Sequence, residues 1–431
     1  MTDSVKLVFN PAGSPASARG FSAIGVHAGF RPDPDRLDMA LVVADEPCAA
    51  AAAFTTNVFC AAPVRVSREH LDEGAPGQPA YGCARAVVIN SGIANAATGE
   101  RGLEAARETC ELAGEAVGCP AAEVLVASTG VIGQHLRLEP FATGVPAALA
   151  ALAAADGPEA RADQGLAAAR AIMTTDTRPK HGAVAFSGDD IGYPGVTFTV
   201  GGMAKGAGMI MPNMATMIAV ITTDAPLTAP DLSAALTAAV NKSFNKVTVD
   251  SDTSTNDTCF ALASGAAAPD AAPFAPGTPA FAAFQAALDE LATTLARAMA
   301  ADGEGATRLI TVTVRGAATA ADADAAARTV ANSPLVKTAV YGHDANWGRV
   351  AAALGRSGAR FSQEDVDIDI LGLPVCRAGL VVDFDEDEAL RRFEEPEVAI
   401  EVDLHAGEES TTMWTCDFSH EYVTINGDYR S

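Results

Sequence analysis

A mixed α/β fold of layered sheets and helices, without the strict alternation of a Rossmann domain, follows from three observations. Short apolar runs bounded by polar residues recur along the chain, as buried strands do. Ala-rich stretches with apolar positions at helical spacing separate them. Between successive helices the apolar runs arrive in pairs, which suits layered mixed sheets better than single crossovers. The 431 residues suggest two or three compact units. Apolar residues make up 49% and charged residues 19%, enough to bury a large core. Aromatics are only 6%, so Ala, Val, Leu and Ile must fill most of it.

In chain order, 39–43 and 85–90 (RAVVIN) read as buried strands. Residues 101–117 read as a helix that stops at Gly118. The run 123–127 (EVLVA) reads as a strand entering the loop Ser128-Thr-Gly-Val-Ile-Gly133, and an Ala-rich helix pair follows at 141–155 and 161–173. Residues 183–186 and 197–200 read as a hairpin, followed by the densest glycine punctuation, 201–208. Beyond it, 216–222 (TMIAVIT) reads as a strand, 232–240 as a helix, 246–250 as a strand and 281–300 as a long helix. Strands are expected at 308–315 and 398–404, with surface loops at 266–279 and 316–327, the second leading into a helix.

Charge and composition exclude several function classes. A net charge of −25 disfavours nucleic-acid phosphates and means that an anionic substrate needs a local Lys or Arg. The eight cysteines form no C-x-x-C pair and the start lacks a secretory apolar region, so reduced thiols and a cytoplasmic location are expected. No stretch approaches the roughly 20 apolar residues of a membrane helix. The seven histidines show no metal-ligand spacing, so no metal is expected.

The chemistry centres on KGAGMIMPNMATM (205–217). On its own the pattern reads equally well as a glycine-rich turn feeding a buried strand. A P-loop is excluded because no Gly-Lys-[Ser/Thr] follows the glycines, and a dinucleotide fingerprint because a strand follows. The alternative is self-cleavage at Ala215–Thr216. A threonine hydroxyl is a weak nucleophile without an adjacent base. If Thr216 Oγ attacks the carbonyl of Ala215, an N-to-O acyl shift and hydrolysis free the Thr216 α-amine. That amine has an ordinary pKa of about 7.7–8.0 and can take the Oγ proton near neutral pH.

The segment resembles the cleavage signature of the ornithine acetyltransferase (glutamate N-acetyltransferase) family. Nine further segments, in order, carry the resemblance over nearly the whole chain: SAIGVHAGF (22–30), FTTN (54–57), VINSGIANAATG (88–99), STGVIG (128–133), AIMTTDT (171–177), TVDSDTSTNDT (248–258), DGEGAT (302–307), GHDANWGR (342–349) and INGDYRS (425–431). The resemblance implies an α/β, layered α-β-β-α sandwich with mixed sheets, N-terminal-nucleophile-like and not Rossmann. It implies segments 1–215 and 216–431 as the two products of self-cleavage, assembled as two copies of each. The implied activity is ping-pong transfer of acetyl from N2-acetyl-L-ornithine to L-glutamate through Thr216, in L-arginine biosynthesis. No cofactor is implied, and acetyl-CoA is an additional donor in some family members.

Residue by residue, Thr129 and Gly130 match the family's oxyanion hole, although on their own they read as a β-turn. Thr174, Lys205, Glu304, Asn426 and Ser431 match substrate-binding positions, Lys205 for the α-carboxylate and Glu304 for the side-chain amine of ornithine. The run Thr174-Thr-Asp-Thr177 contains three threonines, of which Thr174 fits the spacing to Lys205 best. His343, Asp344, Asn346 and Trp347 are assigned to structure or to shaping the site, since the nucleophile carries its own base. Asp250 and Asp252 lack an EF-hand pattern and read as a hydrogen-bonded turn. Ile93 stands where the family often has asparagine, and Ala97 where it often has cysteine. Two rival functions remain at this level: an amidase or aminopeptidase on the same scaffold, and an unprocessed binding protein.

Overall fold

The computed structural model describes residues 6–71, 80–211 and 217–428. The expected Ala215–Thr216 bond and Ser431 lie outside them. Strands are β1 Leu7–Asn10, β2 Phe21–Val26, β3 Met39–Phe54, β4 Ala80–Ile93, β5 Val124–Val131, β6 Lys180–Ser187, β7 Thr197–Lys205, β8 Ile218–Thr223, β9 Thr258–Ala263, β10 Leu309–Ala317, β11 Asp367–Ile370, β12 Leu373–Arg377, β13 Leu380–Val381, β14 Glu397–Asp403 and β15 Glu409–Cys416. Helices are α1 Ala62–His70, α2 Gly99–Val117, α3 Glu139–Ala154, α4 Gly157–Ala171, α5 Ala229–Lys242, α6 Pro279–Ala301, α7 Ala320–Ala331, α8 Pro334–Tyr341, α9 Trp347–Gly355, α10 Glu386–Arg392 and α11 His420–Asp428.

Residues up to about Glu304 build the expected α-β-β-α layers. Strands run in the order β1-β6-β7-β8-β9-β3-β4-β5, with β2 also on β3. The long strand β3 shifts register between Val43 and Cys48. Its first part pairs with β2 and its second with β9, so the sheet divides there into two facing leaves. Side chains alternate along each strand. Ile218, Val220, Phe260 and Leu262 meet Val87, Ile89, Leu125 and Ala127 between the leaves. Ala219, Ile221 and Ala261 face outward under α5 and α6, and Val88, Val124 and Val126 face outward under α2 and α3. Both parallel pairs, β4–β5 and β8–β9, are thus covered on both faces, as parallel strands require.

A second unit follows, a six-stranded sheet in the order β13-β12-β11-β14-β10-β15. Its core joins Ile310, Val312, Ile400 and Val402 of the sheet to Ala323, Ala327 and Val330 of α7 and to Phe393. Trp414 and Cys416 of β15 enter the core of the first unit, which ties the two together. The structural boundary near Glu304 therefore differs from the Ala215–Thr216 position. That position lies between β7 and β8, which pair antiparallel from Val200↔Thr223 to Lys205↔Ile218. Segments 1–215 and 216–431 share one sheet.

Several sequence expectations need correction. The glycine-rich stretch beginning at 201 is not a loop throughout, because β7 continues to Lys205. A Cβ at Gly201 would lie 2.2 Å from the Ser14 carbonyl oxygen, so glycine there serves close packing and not a turn. Residues 246–250 form no strand. A 3-10 turn, Phe244–Lys246, leads to a lone bridge from Val247 to Trp414 of β15, before the chain returns to the first sheet as β9. In 316–327, where a loop was expected, α7 begins at Ala320, capped by Thr319 whose hydroxyl accepts from the Asp322 N–H.

Candidate functional site

Seven stretches of the described residues converge on one cavity of about 500 Å³, at the end of the sandwich where β5 and β7 finish and β8 and β9 begin. Thr129, Gly130, Thr174, Lys205, Glu304 and Asn426 all line it. Thr175 lines it as well, so the neighbouring threonine is equally placed to reach a ligand. Thr216, Ala215 and Ser431 are outside the described residues. Met217 and Ile218, which follow Thr216 directly, form part of the wall.

The end of β5 is rigid. Gly130 has φ +130°, and a Cβ there would lie 2.3 Å from the Gly92 carbonyl carbon on β4, so no other residue fits this backbone. Asn256 donates to the carbonyls of Ser128 (2.8 Å) and Ala94 (2.6 Å). The FTTN loop braces the same region: the Thr55 hydroxyl donates to Ser254 O (2.8 Å) and Asn57 to Thr253 O (2.8 Å).

Lys205, the last residue of β7, is 8% exposed, and its Nζ lies 3.4 Å from Thr129 Oγ1. Burial pushes its pKa down. Asp176 is the strongest opposing influence, Lys180 adds to the fall, and Glu304 and Asp257 favour the charged form. Asp176 lies in the turn between α4 and β6. Its Oδ1 accepts from Lys180 Nζ (2.6 Å) and from the Gly206 N–H (2.7 Å), and its Oδ2 from the Thr174 N–H (3.0 Å). Burial alone would raise the Asp176 pKa. The Lys205 and Lys180 ammonium groups and these hydrogen bonds outweigh it and hold the carboxyl well below the usual carboxylate range. Lys180 also donates to Asp302 (2.5 Å), and Thr177 donates to Asp302 through its hydroxyl and, at 3.1 Å, its backbone N–H.

On the opposite wall Glu304 is 8% exposed and accepts from Asn426 Nδ2 at 2.8 Å. Its backbone N–H donates to Ala207 O (2.8 Å), and a Cβ at Gly208 would sit 2.4 Å from its carboxylate. The glycines of KGAG thus bring the loop flat against Glu304. Helix α11 reaches the site because the segment before it is tied down. Asp417 accepts from the Thr307 and Arg308 N–H groups (2.8 and 2.9 Å), and the Ser419 hydroxyl donates to Gly305 O (2.6 Å). The Phe418 and Tyr422 rings stack at 4.8 Å.

Asn346 caps α9 by accepting from the Arg349 N–H (3.1 Å), His343 stacks on Phe393, and neither lines the cavity. Asp250 accepts from the Met209 and Ile210 N–H groups (2.6 and 2.8 Å), closing the expected turn onto the KGAG loop. Among the described residues no group of three or more His, Cys, Asp or Glu is placed to hold a metal ion. Sequence reasoning missed Asp176, Lys180 and Asp302 as a group, and Asn256 and Asp257 as parts of the wall. The pair Asp176/Lys180 has helical spacing but sits in a turn and a strand. Nothing in the order of residues links either to Asp302.

Among the described residues the cavity offers one buried cation, Lys205, two carboxylates, Glu304 and Asp257, and a strand end with a bare backbone. Such a set complements an amino acid's mixed charges. The ArgJ family model matches residues 22–431. The chain is 48% identical to the arginine biosynthesis bifunctional protein ArgJ of Symbiobacterium thermophilum, over 97% of this chain and 99% of that protein. It is 46% identical to that of Nitratidesulfovibrio vulgaris, over 96% and 100%. A crystal structure of the Bacillus halodurans arginine biosynthesis bifunctional protein ArgJ is 41% identical, covers 49% of this chain and 98% of its own, and gives a TM-score of 0.47. With a family match over all but the first 21 residues and relatives aligned end to end, the chain belongs to the ArgJ family, the arginine-biosynthesis acyltransferases.

Proposed function

We propose that the chain transfers the acetyl group of N2-acetyl-L-ornithine to L-glutamate through an acetyl ester on Thr216, after cutting itself at Ala215–Thr216. The single observation that carries the reading is the convergence of Thr129, Gly130, Lys205 and Glu304 on one cavity whose wall continues through Met217 and Ile218. Lys205 pairs with the substrate α-carboxylate, and Glu304, oriented by Asn426, with the ornithine δ-ammonium. Thr216 Oγ attacks the acetyl carbonyl while the Thr216 amine takes its proton. The oxyanion accepts from the Gly130 N–H and the Thr129 hydroxyl. The C–N bond breaks as that proton passes to the ornithine nitrogen. The glutamate amine then attacks the ester, and the Oγ proton returns. Acetyl-CoA serves as a second donor to the same ester, in keeping with the bifunctional description of the relatives. Thr174 and Ser431 complete the substrate contacts. The two segments stay together and assemble as two copies of each in the cytoplasm.

The test is intact mass measurement of enzyme mixed with N2-acetylornithine and no acceptor. One acetyl mass should appear on the fragment beginning at Thr216 and disappear when glutamate is added, yielding N-acetylglutamate. Release of free acetate in place of transfer would favour the amidase. In Lys205→Met, KM for the amino-acid substrates should rise roughly 30-fold or more, since losing one member of a buried charge pair costs about 2–5 kcal/mol. An unchanged KM would place Lys205 outside substrate recognition. Gly208→Ala should push the Glu304 carboxylate from its place and weaken ornithine binding by about tenfold, given about 1–3 kcal/mol for such overpacking. Calorimetric titration of ornithine reads it directly, and wild-type affinity would mean that the loop yields instead.

A further inference from the structure

Behind the cavity lies a chain of charges of alternating sign: Lys205, Asp176, Lys180 and Asp302. None is more than 8% exposed. Only Lys205 lines the cavity, and the other three stand behind it. Asp176 holds three pieces of backbone and side chain at once. One oxygen takes the N–H of Gly206, directly after Lys205, and the Lys180 ammonium. The other takes the N–H of Thr174, which is itself on the cavity wall. Lys180 opens β6 and pairs with Ala204, so it flanks Lys205 across the hairpin. Its own charge is answered by Asp302 as well as Asp176.

We propose that Asp176 is the positioning residue that keeps Lys205 cationic and fixes it relative to Thr174, and that Lys180, paired to Asp302, limits how strongly it does so. The inference rests on the reading of Lys205 as the partner of the substrate carboxylate. Among the described residues, the groups facing Lys205 are Asp176 from the turn, Lys180 from β6, Glu304 after α6, Asp257 before β9 and the Thr129 hydroxyl. Burial disfavours its charge, Asp176 is the leading counterweight and Lys180 works against it. Neutralising Asp176 and neutralising Lys180 therefore act on Lys205 with opposite sign. A strut that only held the turn to the strand would not do so.

The experiment is the dissociation constant of L-ornithine, by calorimetry across pH 6 to 10, on processed enzyme. Curves are compared with wild type, so that the ligand's own amines and the Thr216 α-amine, present in every variant, cancel. Lys205 loses its charge as pH rises, so the alkaline limb reports it. In Asp176→Asn that limb should move to lower pH by roughly one to three units, the span expected for loss of a nearby opposite charge. In Lys180→Met it should move to higher pH. Asp176→Glu, which keeps the charge, should hold the limb at its wild-type pH even where affinity falls. If Asp176→Asn does not fold because Lys180 is left half-paired, the double variant Asp176→Asn/Lys180→Met removes that strain. Its limb must then lie below that of Lys180→Met. Curves of unchanged shape, offset only by a constant factor, overturn the inference. Wild-type affinity in Lys205→Met instead overturns the reading on which it rests, so the two failures are told apart.

Discussion

A Thr216→Ala chain should stay in one piece and lose nearly all acetyl transfer. Removing Oγ deletes the nucleophile of the acyl shift, so the Ala215–Thr216 bond persists and the α-amine is never freed. Nucleophile and base are lost together, and transfer should fall by roughly 10⁴-fold or more, the scale seen when a nucleophile is deleted. Thr216→Ser keeps both groups and should still cut and transfer, at reduced rates. The cut itself should leave the fold intact. Strands β7 and β8, on either side of it, are held by six register pairs, and β8 is paired on its other edge with β9. The wild-type protein should accordingly elute as one species under native conditions and give two bands of similar size under denaturing ones. N-terminal sequencing of the two bands decides the matter: a mature wild-type chain still whole at Ala215–Thr216, yet active, would remove Thr216 from its role.

How much of this was legible beforehand depended on how local the signal was. Helices such as α2, ended by Gly118 in the left-handed region, and α6, with its apolar stripe, were visible in periodicity and stop residues. Strands β5, β8 and β9 alternate cleanly between two buried faces, and the first two were read as strands. The second half of β3 was not. Residues 48–54 (CAAAAAF) have the composition of a helix, but Ala50 to Ala53 are fully buried between β4 and β9. Small side chains let the two leaves approach, and tertiary packing overrides alanine's helical preference. At the site the residue types alone left each position ambiguous. Thr129-Gly130 looks like any turn, and Lys205 like any loop lysine. The family resemblance singled them out, and the fold places them around one cavity. Asp176, Lys180 and Asp302 escaped because no spacing rule spans a turn, a strand and a helix end.

Thr129→Ala is the variant in which the parts of the site separate most clearly. If its hydroxyl is an oxyanion donor, it acts only once negative charge has built on the acetyl oxygen. Its loss should then lower kcat by roughly 10²–10³, about 2.7–4 kcal/mol, while KM stays within a few-fold. Thr129→Ser should recover most of the rate. The 3.4 Å approach of Lys205 Nζ to Thr129 Oγ1 provides a rival use for the same hydroxyl. Were orienting that ammonium its whole task, KM for the amino acids would rise and kcat would hold. An effect below about tenfold on both would make the residue part of a plain turn. Stability is a poor guide between these outcomes, since the hydroxyl lies on the cavity wall and its removal leaves little void. Gly130→Ala would not serve as a substitute test. Its Cβ would press on the Gly92 carbonyl at a φ that alanine rarely adopts, so it should cost folding before it reports on catalysis. The split between kcat and KM in Thr129→Ala is therefore the measurement that assigns the end of β5 either to the transition state or to the ground state.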